Sequence, residues 1–265
     1  MSVGLSMSSK ASLPMISVVL PAFNEGSVVE NVLRQVTCVL EGIVGYRYEV
    51  ILVDDGSVDD TRERALAWCR LSNRNCRVIG YSPNMGKGYA LGYGSRFASG
   101  DFIVFMDCDL EISPSNLQGC IAHLKDADIL IASKRHPNSH ISQPSSRKVL
   151  SLGFNTLVRV LTGVNISDTQ SGLKVFRRES LASILPLITV KRYAFDVEVL
   201  TVSSLLGLRM VELPIMLASN ASFGTRHTLR MFIDLLGIFY RLRLRRWYQN
   251  NVYNKNARYI PILKW

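Results

Sequence analysis

The stretch FIVFMDCDLEISP, Phe102–Pro114, joins an apolar run to a cluster of acids. Its first part, Phe102–Met106, is apolar, and a short run bounded by polar residues is typical of a buried β-strand. Asp107 and Asp109 alternate with Cys108, so in an extended segment both carboxylates point the same way. Carboxylates this close repel each other unless a cation lies between them, and hard oxygen ligands favour Mg²⁺ or Mn²⁺. We therefore predict a divalent metal site at the end of this strand; a solvated acidic turn is the alternative.

Short apolar runs and segments of helical spacing alternate on both sides of this stretch. The predicted strands are Met15–Leu20, Tyr48–Val53, Arg77–Ile79, Phe102–Met106, Asp128–Ala132, Leu173–Phe176 and Met210–Pro214. The predicted helices are Glu25–Leu40, Thr61–Leu71, Gly88–Ala98, Arg147–Thr162 and Thr228–Tyr248. Strands that alternate with helices predict βαβ units, and therefore an α/β fold with a mostly parallel central sheet flanked by helices.

Polar segments follow three of the predicted strands at their carboxyl ends. These segments are Pro21–Glu25 (PAFNE), Asp54–Ser57 (DDGS) and Asp107–Asp109 (DCD). In open α/β sheets ligands bind at the carboxyl ends of the strands. We therefore expect the three segments to converge on one rim that binds a ligand.

Two further features each have a functional and a structural interpretation. Asp55 is placed to accept hydrogen bonds from a base or a ribose, while its neighbours Ser57 or Asp59 are typical caps for the helix that follows. The segment Asn84–Gly88 (NMGKG) precedes a helix and could present backbone N–H groups and Lys87 to an anion. An ordinary glycine-containing turn between strand and helix is the alternative for this segment.

Composition narrows the classes of protein. The chain has 265 residues, of which 48% are hydrophobic and 20% charged, enough for a sizeable core and unlike a disordered chain. A net charge of +10 favours an anionic partner such as nucleic acid, a membrane surface or a phosphorylated substrate. Five cysteines without paired spacing argue against a disulfide framework or a zinc site and favour a reducing, intracellular setting. The sequence shows neither a secretory signal nor a membrane-spanning stretch.

Five motifs occur in a characteristic order along the chain. They are PAFNE (21–25), VDDGSVDDT (53–61), NMGKGYA (84–90), MDCDL (106–110) and DTQSGLKVF (168–176). Together they resemble the family 2 glycosyltransferases, which have the GT-A fold, and more narrowly the polyprenyl-phosphate sugar transferases of that family. These are the dolichol-phosphate mannose synthases and the dolichyl-phosphate glucosyltransferases, and DTQSGLKVF favours the glucosyltransferases.

The resemblance implies an inverting transfer of a hexose from a nucleotide-sugar, UDP-glucose or GDP-mannose, to a polyprenyl or dolichyl phosphate. It implies a Mg²⁺ or Mn²⁺ cofactor held by Asp107 and Asp109, with Glu111 as a third metal ligand. The implied donor-binding residues are Pro21, Phe23, Glu25, Val53, Asp55, Asp107, Cys108 through its backbone, Asp109 and Arg226.

The resemblance also implies a site for the acceptor phosphate. Lys134, beside Arg135, stands where the family has an arginine that meets phosphate. Arg147 and Ser151 match an arginine and a serine that bind the acceptor phosphate, and spacing i, i+4 puts both on one helical face. The residues that the resemblance implies in catalysis are therefore Asp109, Lys134, Arg147 and Ser151.

The two acceptor chemistries place different demands on the chain. A hydroxyl acceptor needs a general base near its proton, whereas an ionised phosphate needs cations to hold it. The segment Lys134–Ser151 supplies cations and no acid, which favours a phosphate. The alternative is a family 2 glycosyltransferase acting on a sugar or protein hydroxyl, with Asp196 or Glu198 as base. Nucleic acid is not expected as a partner, because the rim is acidic and no recognised nucleic-acid motif is present. The intact acids argue against a non-catalytic subunit.

The segment Met231–Trp247 is apolar at first and then strongly basic. Such a helix suits an anionic membrane surface, and docking on its own domain or on a membrane subunit are the alternatives. The basic residues are Arg241, Arg243, Arg245 and Arg246, with Trp247 and Tyr248 beside them. We expect a flexible N-terminus (1–14), a single GT-A domain (15–226) and a basic amphipathic helix with its tail (227–265). The expected location is cytoplasmic, peripheral on the cytoplasmic face of a membrane.

Overall fold

A computed structural model of the chain describes residues 13–139, 145–215 and 228–255. The described residues form seven strands. They are β1 (Met15–Ala22), β2 (Arg47–Asp55), β3 (Cys76–Tyr81), β4 (Phe102–Met106), β5 (Ile129–Ser133), β6 (Leu173–Arg177) and β7 (Met210–Pro214). Each predicted strand is present, and most extend by one or two residues beyond the predicted bounds.

Helices connect these strands. They are α1 (Val29–Glu41), α2 (Thr61–Leu71), α3 (Lys87–Ser95), α4 (Asn116–Ala122), α5 (Ser145–Thr162), α6 (Arg178–Ile184), α7 (Phe195–Leu205), α8 (Thr228–Phe239) and α9 (Trp247–Lys255). Within the described parts of the chain, no helix combines the length and the hydropathy needed to cross a bilayer.

The strands form one sheet in the order β3-β2-β1-β4-β6-β5-β7. All neighbouring pairs are parallel except the two made by β6, which runs antiparallel to both β4 and β5. The mostly parallel α/β fold is therefore confirmed. Because β6 runs the opposite way, its first residues lie beside the carboxyl ends of β4 and β5, which brings the segment before Leu173 to the predicted rim.

The sheet has a core on each face because its central strands are apolar on both sides. On one face α1 buries Val29, Leu33, Val36 and Leu40, at the spacing of a single helical stripe. On the other face α3 packs closely, and a Cβ atom at Gly94 would lie 2.5 Å from the side chain of Val19. The strand ends between these two cores are therefore fixed from both sides.

The predicted C-terminal helix Thr228–Tyr248 is wrong as a single helix. α8 ends at Phe239, a π-helical turn spans Tyr240–Leu244, and α9 begins at Trp247. The backbone N–H of Arg245 donates to the carbonyl of Tyr240 at 2.9 Å, and Arg246 has a φ of 51°. A residue in the left-handed region ends a right-handed helix, so the chain turns here. The predicted limits of the domain at 15 and 226 stay a prediction.

The spacing of the cysteines argued against a disulfide framework, and the structure contains one disulfide among the described residues. Cys69 and Cys76 form a disulfide, with their Cα atoms 5.5 Å apart, while Cys38, Cys108 and Cys120 are free. A short turn between α2 and β3, with Asn73 at a φ of 51°, reverses the chain and brings the two thiols together. Sequence spacing alone does not show that reversal. The expected reducing, intracellular setting stays a prediction.

Candidate active site

The strand order confirms that the three polar segments share one rim, because β2, β1 and β4 are neighbours. Two hydrogen bonds join the loop that follows β1 to the loop that follows β2. The backbone N–H of Glu25 donates to Thr61 Oγ1 at 2.7 Å, and that of Gly26 donates to Asp59 Oδ2 at 3.1 Å. Phe23 is exposed beside them. The loops after β1 and β2 therefore form one surface at the rim.

Asp55 is buried, and its carboxylate accepts hydrogen bonds from the protein itself. The Tyr81 hydroxyl and the Met85 N–H each donate to Oδ1 at 2.8 Å, and the Gly86 N–H and the Asn84 side-chain amide each donate to Oδ2 at 2.9 Å. The anion that the backbone N–H groups of the NMGKG segment meet in the structure is therefore the carboxylate of Asp55. Asp55 therefore anchors this loop, and its role at the base or ribose stays a prediction.

The capping alternative for the neighbouring residues is met only in part. Asp59 Oδ1 accepts a hydrogen bond from the Thr61 N–H at 3.1 Å, at the start of α2. Ser57 instead accepts from the Asn24 N–H at 3.0 Å, so it joins the two rim loops. Asp59 therefore supports the helix, and Ser57 supports the rim.

The start of α3 is pressed against the start of α7. Gly86 has a φ of 102°, and a Cβ atom there would lie 2.8 Å from the carbonyl oxygen of Lys191. A Cβ atom at Gly88 would lie 2.5 Å from the side chain of Phe195. Only glycine allows such close approach. The two glycines therefore place Lys87, which lies between them, against the first turn of α7.

Lys87 belongs to a chain of alternating charges. Its Nζ lies 2.8 Å from Asp107 Oδ1 and 3.3 Å from Asp196 Oδ2. The Nζ of Lys174, a fully buried residue on β6, lies 2.8 Å from Asp196 Oδ1. We call the series Asp107–Lys87–Asp196–Lys174 the ion chain. It balances the buried Asp196 and the half-buried Asp107 with two lysines, as buried charges require.

The charges of the ion chain shift the pKa values of its members. Burial alone would raise the pKa of Asp196, but Lys174 and Lys87 outweigh it and hold that pKa below its usual value. Burial would likewise lower the pKa of Lys87, but Asp107 and Asp196 raise it well above its usual value. Burial, together with Asp109 and Asp196, raises the pKa of Asp107 against the opposing charge of Lys87. Asp196 therefore stays ionised and is a weak proton acceptor.

The two predicted metal ligands differ in their surroundings. Asp107 contacts Lys87, whereas Asp109 is exposed and accepts a hydrogen bond from the Glu111 N–H at 2.9 Å. Leu110, between Asp109 and Glu111, has a φ of 50°, which turns the chain sharply after Asp109. Burial raises the pKa of Glu25, and the nearby Asp109 and Asp59 add to that increase, so negative charge is concentrated at this rim.

The residues at this rim fit a divalent cation. Mg²⁺ and Mn²⁺ take hard oxygen ligands, and Mg²⁺ commonly uses one or two protein carboxylates together with substrate phosphates and water. Asp107 and Asp109 supply two such carboxylates at the end of one strand. No group of three or more His, Cys, Asp or Glu side chains converges on a common point within the described residues.

Glu111, the predicted third metal ligand, contacts Lys134. Its Oε2 lies 2.6 Å from the Nζ of Lys134, so a predicted metal ligand and a predicted phosphate ligand form an ion pair. The backbone N–H of Lys134 donates to Asp168 Oδ2 at 2.9 Å, and the N–H of Asp168 donates to Glu212 Oε1 at 3.0 Å. The DTQSG motif therefore fixes the backbone that carries Lys134.

Gly172 of the same motif lies against Asp107. Its carbonyl oxygen accepts a hydrogen bond from the Asp107 N–H at 3.2 Å, and a Cβ atom at Gly172 would lie 2.6 Å from Asp107 Oδ2. The absence of a side chain at this position lets the start of β6 approach the carboxylate. Gly172 therefore helps to determine where Asp107 lies.

Other predicted site residues lie away from the rim surface or outside the described residues. The Val53 side chain is buried in the core, and the Cys108 thiol is buried, which raises its pKa well above the usual value. Pro21 is half-buried near the end of β1. α5 includes Arg147 and Ser151, but their side chains lie outside the described residues, as does Arg226.

The family model described as Glycosyl transferase family 2 matches residues 17–185, more than half of the chain. The chain belongs to this family. The match covers β1 to β6, and with them the rim acids, the DTQSG motif and three members of the ion chain.

Curated relatives place the chain among similar members of family 2. It is 30% identical over 219 residues to dolichyl-phosphate beta-glucosyltransferase of Saccharomyces cerevisiae, covering 76% of this chain and 66% of that one. It is 33% identical over 217 residues to the protein of the same name from Drosophila melanogaster, with the same two coverages. Glycosyltransferase AglD of Haloferax volcanii is 29% identical over 94% of this chain and 39% of its own. The chain spans slightly less than two thirds of the length of the yeast and fly relatives.

Solved structures confirm the GT-A fold of this family 2 chain. Glucosyl-3-phosphoglycerate synthase from Mycobacterium tuberculosis, in complex with Mn²⁺, UDP and glucosyl-3-phosphoglycerate, matches with a TM-score of 0.66 and 21% identity. The match covers 86% of this chain and 79% of that chain. The same enzyme with Mn²⁺, UDP-glucose and glycerol 3-phosphate matches with a TM-score of 0.65 and 21% identity. At this identity the likeness concerns the fold.

Three site residues of this family 2 chain were missed or misread from the sequence. Lys174 was read only as part of a motif, Lys87 was read as an anion ligand, and Asp196 was read as a base or a helix-start acid. One signal was present, because a lysine inside the apolar run LKVF of a central strand needs a buried carboxylate. Asp196 in FDVEVL meets that need.

Proposed function

We propose that the chain is an inverting glycosyltransferase that moves a hexose from a nucleotide-sugar to a polyprenyl or dolichyl phosphate. The relatives named dolichyl-phosphate beta-glucosyltransferase support this acceptor and favour glucose. The structural neighbour crystallised with UDP-glucose supports UDP-glucose, ahead of GDP-mannose, as the donor. Its Mn²⁺ supports a divalent cofactor, Mn²⁺ or Mg²⁺, held here by Asp107 and Asp109.

The ion pairs of Asp196 are the observation that favours a phosphate over a hydroxyl acceptor. A hydroxyl acceptor needs a base that can take its proton. Asp196 is buried between Lys87 and Lys174, which lower its pKa and occupy both carboxylate oxygens. A phosphate acceptor has no proton to lose, so it is compatible with an acid that is neutralised in this way.

Glu198, the other base considered for a hydroxyl acceptor, is buried and holds the protein together. It accepts hydrogen bonds from the N–H of Thr189 at 2.8 Å and of Val190 at 2.7 Å, and from the hydroxyl of Tyr248. The contacts of Glu198 within the described residues are therefore structural, and they do not favour catalysis with a sugar or protein hydroxyl.

In the proposed reaction an oxygen of the acceptor phosphate forms a bond to the anomeric carbon of the sugar. The bond from that carbon to the donor diphosphate breaks, and its electron pair leaves with the nucleoside diphosphate. A bound divalent cation would neutralise charge on the departing diphosphate. Lys134 would hold the acceptor phosphate by its charge, together with Arg147 and Ser151 of α5. Attack from the face opposite the leaving group inverts the anomeric configuration.

The test is a transfer assay with purified protein. UDP-glucose and GDP-mannose are supplied in parallel, each with Mn²⁺ or Mg²⁺, with and without a short water-soluble polyprenyl phosphate, and nucleoside diphosphate release is measured. We expect release that requires the lipid phosphate and disappears with EDTA. Release that is unaffected by the lipid phosphate, or that responds instead to a sugar hydroxyl, would contradict the proposal.

The acceptor class also bears on where the chain works. We propose that it acts at the cytoplasmic face of a membrane, bound to the membrane surface or to a membrane subunit. The net charge of +10 and the basic C-terminal segment support such a location.

A further inference from the structure

α8 and the π-helical turn after it expose a stripe of large apolar side chains. Phe232, Leu236, Tyr240 and Leu244 follow one another at intervals of four residues, and Ile233 lies beside them. These five side chains are between 41% and 67% exposed. Residues four apart lie on the same side of a helix, so they form one continuous strip, which we call the C-terminal face.

α5 lies next to α8 and widens this surface. Gly163, just after α5, would place a Cβ atom 3.1 Å from the guanidinium of Arg243, so the end of α5 meets the π-helical turn. Val158 of α5 and Leu235 of α8 are buried in the same core cluster. Both helices bury one side in that core, and α5 also has two exposed large apolar side chains, Leu152 and Val160.

Positive charge borders the C-terminal face at its far end. Arg243, Arg245 and Arg246 are exposed around Leu244. Arg241 is not part of this border, because it donates to the Tyr248 hydroxyl at 3.0 Å and lies 3.3 Å from Glu198. Three arginines next to an apolar strip are complementary to a surface with anionic headgroups over an apolar interior.

The C-terminal face is attached firmly to the body of the protein. The hydroxyl of the buried Tyr248 donates to Glu198, which lies in α7 and is itself buried. Glu198 is two residues from Asp196 of the ion chain. The same contacts bury Tyr248, so it does not contribute to an exposed aromatic border as its sequence position had indicated.

We propose that the C-terminal face rests on the surface of a bilayer that contains anionic lipid, with Phe232, Ile233, Leu236, Tyr240 and Leu244 entering the headgroup region. This inference rests on the proposed function, because a lipid phosphate acceptor must be taken from a bilayer. α5 packs beside α8 and includes Ser151, which lies about 14 Å along the helix from Val160 at 1.5 Å per residue. Seating this face on a bilayer would therefore keep the predicted acceptor site within reach of lipid headgroups.

The test is co-sedimentation of the whole chain with vesicles of phosphatidylcholine, with and without about 30 mol% phosphatidylserine. Leu236→Glu and Ile233→Glu place a charge on the C-terminal face, and Val44→Glu is the matched control, since Val44 is 93% exposed elsewhere. We expect strong binding only to the anionic vesicles. Each face variant should lower the vesicle partition coefficient about tenfold or more, because an apolar side chain that would enter the bilayer is lost. The Val44→Glu chain should have the same partition coefficient as the wild type.

A double variant, Arg243→Gln with Arg245→Gln, tests the charges separately. We expect about tenfold weaker binding to the anionic vesicles and little change with phosphatidylcholine alone. This variant also covers the case in which a glutamate on the face disturbs folding, which circular dichroism of each variant would detect.

Two results would overturn the proposal. One is a wild-type chain that stays in the supernatant with both vesicles but sediments with salt-washed cell membranes, since the occupant would then be a membrane protein. The other is equal binding of the Leu236→Glu and Val44→Glu chains. Transfer to the water-soluble polyprenyl phosphate is measured alongside, and we expect Leu236→Glu to retain it. A wild-type chain that binds the anionic vesicles but transfers no sugar to the water-soluble polyprenyl phosphate would instead contradict the proposed function.

Discussion

Two pairs of aspartates lie at the carboxyl ends of β2 and β4, on either side of β1, and they differ in burial and in the groups that contact them. Asp54 and Asp55 are both buried, and Asp55 accepts hydrogen bonds from four groups of the protein. Asp107 touches Lys87, and Asp109 is exposed. Residue type and position in the fold are the same for both pairs. The partners of each carboxylate decide whether it holds the structure or is open to a ligand.

The largest expected effect on this contrast comes from Asp109→Asn. The exposed carboxylate contributes charge to the proposed metal site, so its loss should lower transfer by about two orders of magnitude or more. The melting temperature should change little, because the side chain is at the surface. Nucleoside diphosphate release and a Mn²⁺ titration followed by electron paramagnetic resonance measure the two effects.

Asp126→Asn is the control for this variant, since Asp126 is an exposed acid outside the rim. It should match the wild type in both assays. Full activity and unchanged Mn²⁺ affinity in Asp109→Asn would show that Asp109 is not a metal ligand.

Asp196→Asn breaks the ion chain that supports Asp107. At neutral pH the free energy of unfolding should fall by about 3–5 kcal/mol, because Lys174 loses a buried partner. Asp196 has a lowered pKa in the folded chain. Its contribution is therefore present above the pKa of about 3.9 in the unfolded chain and is lost as the pH falls through the folded value.

Denaturant unfolding at about pH 7, and then from about pH 4 down to about pH 2, checks this pH dependence. The difference in stability between wild type and Asp196→Asn should be constant above about pH 4 and should shrink below it. A difference that stays constant below that pH as well would show that the charge of Asp196 does not stabilise the fold. Adding Lys174→Met to Asp196→Asn should recover part of the loss at neutral pH, because it removes the unpaired buried charge.

Asp55→Asn tests the first pair. The side-chain NH₂ cannot accept the hydrogen bonds that one carboxylate oxygen accepts now, so unfolding should become easier by about 2–3 kcal/mol. Guanidinium denaturation measures this loss, with Asp126→Asn again as the control. An unchanged stability together with a raised KM for the nucleotide-sugar would show that Asp55 mainly binds the nucleotide-sugar, as its sequence position had indicated.

Gly172→Ala moves the carboxylate of Asp107 without changing any charge. A methyl group 2.6 Å from Asp107 Oδ2 must push that carboxylate aside. We expect kcat/KM to fall about tenfold, because Asp107 is a proposed metal ligand and small displacements of such a group are costly. Gly119→Ala in α4 is the control, since a Cβ atom there meets nothing within 4 Å. Equal activity of the two variants would show that Asp107 tolerates the displacement.

Glu111→Gln should have the smallest effect. Since Glu111 pairs with Lys134 in the structure, Mn²⁺ affinity should stay within about twofold of the wild type, the scale of a partly exposed ion pair. The Mn²⁺ titration used for Asp109→Asn measures it. A loss comparable with that of Asp109→Asn would make Glu111 a metal ligand after all.

The sheet was predictable because its strands are short apolar runs separated by helical segments. Phe102–Met106 and Thr61–Leu71 have the predicted bounds. The prediction of a single C-terminal helix was wrong because the chain turns after Leu244, where residues that follow the turn contact residues far away in the sequence. Tyr248 reaches Glu198, fifty positions earlier, only if the chain turns, and helical spacing does not record such a contact.

The position of the candidate site was also predictable, but the division of labour inside it was not. The rim follows from where polar residues succeed apolar runs. The ion chain depends on Lys87 meeting Asp196, which is 109 residues away in sequence. Motif spacing could locate Asp55 and Asp107 equally well. It could not show that loop donors occupy the first and a single lysine meets the second.

The antiparallel strand β6 has a consequence for how the chain emerges from the ribosome. β4 and β5 are made early, but each pairs with β6, which is translated only after the whole of α5. Until Leu173–Arg177 has been synthesised, the outer edge of β4 offers unpaired backbone groups and apolar side chains, as an aggregation-prone edge does. A nascent chain that stalls within α5 would therefore present a half-built sheet, with Asp107 still lacking Gly172 beside it.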